Sequence, residues 1–393
     1  MKKGWEIKKL GDVCVFKSGT TIDSKLEKEE GEIIYAKVGD MNLDGNEDYI
    51  NRSSRYVDSI MINKNQLIPI GSIIFPKRGG AIATNKKRRI AHPTIVDLNT
   101  MALVPNKNIN KDYLYFWFQQ IDLSDLSNGT SIPQINNYSF DNVYISYPHS
   151  LNEQQRIVSI LNEAFAAIEQ AKANAARNLQ NARELFESYL EGVFENGNWE
   201  EKKLQDVAKV FERGKSRHRP RNWEGLYGGQ IPFIQTGDVR NANKYITNYT
   251  QTYNEVGLAQ SKLWKKGTIC ITIAANIAET AILNFDACIP DSIIGFYVND
   301  NKADLNFAYY LLQYFKAELQ KLGKGSAQDN INLGTFENRY FPFPPLKEQQ
   351  TIVRQLDALR DEMQKLESVY QKKIDYLEEL KKSLLQKAFS GAL

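Results

Sequence analysis

Apolar positions divide the chain before any motif is considered. From Ile157 they recur at steps of three and four, through Leu161, Ala164, Ile168, Ala171, Ala175, Leu179, Ala182, Phe186, Tyr189 and Val193. A second series takes the same steps through Ile352, Leu356, Leu359, Met363, Leu366, Tyr370, Ile374, Leu377, Lys381, Leu384 and Ala388. This period draws one stripe along one helix face. Ala, Glu, Gln, Lys and Arg fill the other positions, and proline is absent from 152 to 195, a composition that favours helix. Prolines stand before both series (Pro148, Pro344, Pro345) and glycines after them (Gly197, Gly391), as helix boundaries prefer. Two helices of some 45 residues are predicted, each reaching roughly 65 Å at about 1.5 Å per residue. Their stripes call for partner helices. The Ala-rich first seam accommodates the Leu, Met and Tyr of the second, so the helices are predicted to pair with each other, antiparallel, as a coiled-coil spacer. The seam is Ile157, Leu161, Ile168, Leu179 and Phe186 against Ile352, Leu356, Met363, Ile374 and Leu384.

Elsewhere the apolar runs are short. Ile33-Ile34-Tyr35, Ser72 to Phe75, Thr268 to Ile271 and Ile293 to Val298 are β-branched and aromatic segments bounded by Gly, Pro or Asn, a strand signal. Tyr113 to Gln120 and Phe307 to Leu322 read as one helix in each half. The expected fold is α+β: two similar mixed heads at 1–150 and 198–345, followed by helices at 151–197 and 346–393.

The halves are one unit written twice. Trp5-Glu6-Ile7-Lys8-Lys9-Leu10-Gly11-Asp12-Val13 returns as Trp199-Glu200-Glu201-Lys202-Lys203-Leu204-Gln205-Asp206-Val207, 194 residues later. Leu151-Asn152-Glu153-Gln154-Gln155-Arg156-Ile157-Val158 returns as Leu346-Lys347-Glu348-Gln349-Gln350-Thr351-Ile352-Val353, 195 residues later. Between them Gly39-Asp40 matches Gly237-Asp238, Leu67 and Gly71 match Leu263 and Gly267, and Gly129, Ile135, Asn136 and Phe140 match Gly325, Ile331, Asn332 and Phe336. A two-copy chain with a seam on each tail predicts a pseudo-twofold protein.

Charge alters this picture only locally. Lys and Arg total 50 against 47 Asp and Glu, so attraction to a polyanion has to come from clusters. The clusters lie where the two copies diverge: Lys77, Arg78, Lys86, Lys87, Arg88 and Arg89 in the first half, and Arg213, Lys215, Arg217, Arg219 and Arg221, with His218, Trp223 and Tyr227, in the second. Arg and Lys on loops can hold phosphates and read guanine edges, and these eleven cations are the candidate DNA contacts.

Cys14, Cys270 and Cys288 and three scattered histidines form no metal-ligand spacing, so no metal or cofactor is expected in this chain. The first ten residues lack a signal-peptide core and no apolar run reaches membrane-spanning length, which points to a cytoplasmic protein without membrane contact. Gly214-Lys215-Ser216 imitates the end of a phosphate loop but Lys209 stands where its first glycine belongs, and Phe343-Pro344-Pro345 lacks the polar residue of an adenine-methyltransferase motif. Two alternatives stay open: a Mg-dependent nuclease using Asp291, Asp300 and Lys302, and a coiled-coil scaffold that never meets DNA.

The twin openings, the twin helix entries and the Phe389-Ser390-Gly391 ending, with Phe194-Glu195-Asn196 as a degraded counterpart, resemble the specificity subunit of type I restriction-modification systems over essentially the whole chain. The resemblance implies a non-catalytic subunit with two target-recognition domains, each reading half of a bipartite asymmetric double-stranded DNA site. A spacer of roughly 65 Å bounds the gap, placing the half-sites within some 20 base pairs of each other at about 3.4 Å per base pair. The resemblance also implies two methyltransferase partner subunits that methylate adenine and restriction/translocase partners, with S-adenosylmethionine, Mg and ATP bound on those subunits.

Overall fold

The computed structural model describes residues 3–129, 132–218, 220–274, 277–324 and 331–393. The chain folds as two compact units, one made of Met1–Ala175 with Lys372–Leu393 and the other of Ala176–Gln371.

In the first unit the opening strand Trp5–Lys9 pairs antiparallel with Tyr144–Pro148. A five-stranded sheet follows, in the order Cys14–Ser18, Thr100–Pro105, Ile73–Pro76, Arg88–Ile90, Tyr49–Ile50. A second sheet has Ile33–Ala36 between Tyr56–Val57 and Thr94–Val96. The helix Lys111–Phe118 buries every residue from Tyr113 to Phe118. Asn110 starts it by accepting from the backbone N–H groups of Asp112 and Tyr113, the usual role of an N-cap side chain.

The second unit repeats this order. Glu200–Lys202 pairs with Phe341–Phe343, and the five-stranded sheet runs Ala208–Arg213, Ile293–Val298, Ile269–Thr272, Thr280–Leu283, Tyr245–Ile246. Its second sheet runs Gln251–Tyr253, Tyr227–Phe233, Ala287–Cys288, with Leu263–Trp264 added at the edge. The helix Leu305–Tyr314 is capped by Asp304 as its counterpart is by Asn110. The duplication read in the sequence is therefore a duplication of strand order.

The long helices span Leu151–Glu195 and Leu346–Ser390, 45 residues each. Each unit contains the beginning of one and the end of the other. In the first unit Ile157 and Leu161 share a core with Leu385, Ala388 and Phe389, and Lys381 pairs with Glu169 at 3.0 Å. In the second, Ile352 and Leu356 share a core with Leu190 and Phe194, and Arg183 Nε lies 2.6 Å from Glu367. Partner numbers that fall on one helix as they rise on the other make both segments antiparallel. The seam residues Ile157, Leu161, Ile168, Ile352 and Leu356 are buried, and Leu179, Phe186, Met363, Ile374 and Leu384 are half-buried. Leu366 departs from the predicted stripe and is exposed.

The sequence boundaries at 150/151 and 345/346 mark helix starts, whereas the compact units divide within the helices, after Ala175 and after Gln371. The physical reason is that each head's apolar floor is closed by two helix segments distant in sequence, and burial ignores chain order.

The repeated motifs now have reasons. Gln154 is fully buried. Its side-chain amide donates to the carbonyls of Pro148 at 2.9 Å and Asn108 at 3.2 Å and accepts from the N–H of Asn110 at 2.7 Å. Gln349, equally buried, donates to the Pro344 carbonyl at 2.7 Å and accepts from the Asp304 N–H at 2.8 Å. In both units one glutamine ties the long-helix entrance to the cap of the short helix. Phe389 packs edge-on against Tyr113 with ring centroids 5.0 Å apart, and Phe194 lies 5.5 Å from Phe307 at the matching place.

Cys14, Cys270 and Cys288 are buried thiols outside any disulfide. Burial pushes Cys14 up to about 12 and also raises Cys270 and Cys288. Among the described residues no helix is long and apolar enough to cross a membrane.

Candidate nucleic-acid interface

The cations of the first unit follow the strand Ile73–Pro76. Arg78 is exposed and its backbone bridges Gln134. Lys77 is half-buried and donates to the Ser18 hydroxyl at 3.0 Å, and desolvation lowers its pKa. After the turn Gly79–Thr84, Lys86 donates to the side-chain oxygen of Asn42.

The rest of the run Lys86 to Arg89 does not form a surface patch. Arg88 and Arg89 belong to the strand Arg88–Ile90, which pairs with Ile73–Pro76 on one side and Tyr49–Ile50 on the other. Arg88 donates to the carbonyls of Lys87 at 2.9 Å and Met41 at 3.0 Å. Arg89 holds Asp112 at 2.8 Å and lies between the rings of Tyr49 and Tyr115, 4.1 and 4.3 Å from their centroids. Lys87 is 2% exposed, donates to the Ile121 carbonyl at 2.7 Å and to Asn85 at 2.8 Å, and sits over the Phe118 ring. Lys87 and Arg89 are thus corrected from DNA contacts to internal ties, because Lys87, just ahead of the strand, is taken up by the Ile121 carbonyl and Asn85, and Arg89, within it, by Asp112 and two aromatic rings. Of the six cations predicted on this unit Arg78 is the exposed one, Lys77, Lys86 and Arg88 being half-buried.

Burial drives the Lys87 ammonium from 10.5 down to about 8. The unfolded chain keeps its proton to a higher pH, so between about pH 8 and 10.5 the unfolded state binds more protons and folding stability rises with pH. Urea unfolding at pH 7.5 and 9.5 is expected to show a smaller rise for Lys87→Met than for the parent chain. An equal rise in both would assign the pH dependence elsewhere.

In the second unit Arg213 ends the strand Ala208–Arg213, its Nε donating to the Asp291 carbonyl at 2.8 Å. Arg221 Nη2 meets the Asp291 carboxylate at 2.6 Å. Asp291 therefore gathers two of the predicted cations. Lys215 is half-buried, with its N–H on the Ile289 carbonyl at 3.0 Å and its own carbonyl accepting from Ser261 at 2.8 Å. Arg217 is exposed. The neighbouring His218 ring stacks on Trp223, centroids 4.7 Å apart and planes within 17°, and Trp223 remains 46% exposed. Tyr227 braces this loop by donating to the Arg221 carbonyl at 2.6 Å. Arg219 lies outside the described residues.

The nuclease alternative fails on the same contacts. Asp291 is neutralised by Arg221, Asp300 is held by Lys209 at 2.5 Å, and Lys302 donates to the Asp206 carbonyl at 2.8 Å. Three groups bound to three different partners do not make a two-carboxylate Mg site. Among the described residues no group of three or more His, Cys, Asp or Glu side chains could hold a metal ion.

Sequence reasoning missed the ties that set these loops. The role of Asp291 as receiver of both arginines has no local signal, since it stands 78 and 70 residues away in the chain. The same holds for Lys244, which pairs with Asp357 while its neighbour Arg360 reaches the Tyr309 hydroxyl at 3.2 Å. Lys244, Asp357 and Arg360 border a cavity of about 800 Å³ in the second unit. Its lining mixes Lys244 and Arg360 with Asp238, Asp357 and Asp361, so no single ligand charge is selected there.

A family model described as the type I restriction modification DNA specificity domain matches residues 2–177 and again residues 196–375. The type I restriction enzyme MjaIX specificity subunit of Methanocaldococcus jannaschii is 24% identical over 100% of this chain and 94% of its own. The StySPI specificity subunit of Salmonella potsdam is 23% identical, over 86% and 78%. Among solved structures, a chain described in work on complex assembly and conformational transition of the type I R-M system superposes with a TM-score of 0.80 at 19% identity, covering 100% of this chain and 99% of that one. The HsdS subunit of Thermoanaerobacter tengcongensis superposes at 0.64 with 20% identity, covering 100% and 98%. At these identities the superpositions show a shared fold.

Proposed function

Because the chain belongs to the family of type I restriction-modification DNA specificity subunits, it is a sequence-recognition subunit, and we propose that each of its units reads one half of a bipartite, asymmetric double-stranded DNA site. The observation that carries the bipartite reading is one strand order written twice with different exposed chemistry on it. The first unit presents the exposed Arg78 next to the half-buried Lys77, the second Arg217 with the stacked His218 and Trp223. The two groups leave different strands of the shared order, Ile73–Pro76 in the first unit and Ala208–Arg213 in the second, and unequal side chains give the units different sequence preferences. The coiled-coil scaffold without DNA binding has no support in the family match.

The subunit itself is non-catalytic. In this proposal methylation is carried by two methyltransferase subunits that dock on it, bring S-adenosylmethionine and modify adenine, while ATP and Mg serve restriction subunits joined through them. The test is an adenine-methylation map of DNA from cells with and without this chain, the methyltransferase subunit being present in both. One split motif with a fixed gap should lose methylation when the chain is absent. No change in any motif overturns the reading.

Among the cations of the second unit, Arg217 is expected to matter differently from Arg221. Arg217→Ala should weaken binding of the cognate duplex about tenfold and relax the sequence preference in one half-site only, as expected when one bidentate base contact is lost. Methylation profiling of the variant reads both effects, and an unchanged motif at unchanged affinity would remove Arg217 from the interface.

A further inference from the structure

Four glycine pairs stand at matching places in the two units among the described residues, and three have a reason inside the chain. A Cβ on Gly19 would lie 1.9 Å from the Asp97 carbonyl oxygen, and on Gly214 2.3 Å from that of Pro290. One on Gly31 would lie 2.9 Å from Tyr56 Cβ, and on Gly229 2.4 Å from the Tyr253 carbonyl oxygen. Gly71 and Gly267 have φ of +90° and +86°, a region L-residues rarely enter.

Gly39 and Gly237 have no such reason. A Cβ at either position meets no atom within 4 Å, and neither backbone is left-handed. Gly39 lies in the short helix Val38–Asn42 after the strand Ile33–Ala36, and Gly237 in Thr236–Asn241 after Tyr227–Phe233. The aspartate that follows each is explained by the fold: Asp40 accepts from the Lys37 N–H and Asp238 from the Gln235 N–H, both at 2.7 Å. The glycine is not explained, and alanine would suit a helical turn better.

What excludes a side chain at these places therefore lies outside the chain and meets both units alike. Two different half-sites have different bases but the same sugar–phosphate backbone. Cations surround the first of the two turns. Lys86 donates to the Asn42 side chain, Arg88 to the Met41 carbonyl at 3.0 Å, and Arg55 lies 3.8 Å from the Asp40 carboxylate. In the second turn Arg240 is exposed. We propose that Gly39 and Gly237 are the points where the duplex backbone passes against each unit, so close that a side chain would stand between them. The inference rests on the proposed DNA-reading function and adds to it a contact that positions the duplex without reading bases.

The experiment uses the full chain assembled with its methyltransferase partner. Gly39→Val, Gly237→Val and the double variant are compared with the parent by thermal melting, by recovery of the assembled complex and by binding to cognate and non-cognate duplexes. Gly39→Ala and Gly237→Ala, which the turns accept without strain, serve where a valine variant folds poorly. The expected result is an unchanged melting temperature and intact assembly, with cognate and non-cognate binding both weakened by a similar factor of about ten in the double variant, and the same methylated motif. Unchanged affinity overturns the proposal. So does a loss confined to the cognate duplex, which would make these positions base readers, and so does failed assembly of folded chain, which would place a protein there. Absence of selective binding by the parent complex would instead sink the DNA-reading function itself, and it is seen before any variant is compared.

Discussion

Gln349→Leu is expected to destabilise the second unit by about 2–5 kcal/mol, measured by urea unfolding of the full chain. Leucine nearly conserves the volume of glutamine, so little of this cost comes from a cavity. It comes from two backbone groups left without partners in a place water does not reach: the Pro344 carbonyl and the Asp304 N–H, now held at 2.7 and 2.8 Å. Each orphaned group costs about 1–3 kcal/mol. Gln154→Leu should do the same to the first unit by orphaning the Pro148 carbonyl and the Asn110 N–H. Gln350→Leu, next in sequence to Gln349 but exposed, is the control and should stay within about 0.5 kcal/mol of the parent. Equal effects at 349 and 350 would mean that the repeated glutamine pair matters through helix propensity or partner contact, not through the buried clamp.

Phe194→Ala carries the second large effect, about 3–5 kcal/mol for truncating a buried aromatic side chain. Phe194 is 5% exposed, stacked 5.2 Å from Tyr314 and set 5.5 Å from Phe307 and 6.1 Å from Trp199. It stands at the end of the helix that follows the first head in sequence, yet every one of those partners belongs to the second unit. Hydrogen exchange is therefore expected to rise in Leu305–Tyr314 and in the strand Phe341–Phe343, with the first unit left protected. Phe389→Ala should reverse the pattern, exposing Lys111–Phe118 through the lost contact with Tyr113. Loss of protection in the head that precedes each helix in sequence would contradict this division of the chain.

Several features needed only the order of residues. The duplication is legible because two anchors repeat at nearly one spacing, and strand order follows it from unit to unit. Helix length is legible because a stripe with a period of three and four, free of proline, needs no distant information, and the antiparallel direction because the head between the helices has to leave the end of one and return to the start of the other. The family resemblance rests on those same residues, and the family match runs through both copies. The basic loop of the second unit was also visible in outline, since its arginines lie close to Trp223 in the chain.

What only the tertiary structure decided are the properties that depend on partners far apart in sequence. The run Lys86 to Arg89 looks like a surface patch until its strand is placed between two others, where Arg89 finds Asp112 and two aromatic rings and Lys87 finds the Ile121 carbonyl. Asp291 looks like a candidate metal ligand until Arg213 and Arg221 reach it from 78 and 70 residues away in the chain. Local composition fixes how much charge a segment carries. Whether that charge faces solvent is settled by which distant groups fold against it, and the compact units divide within the long helices for the same reason.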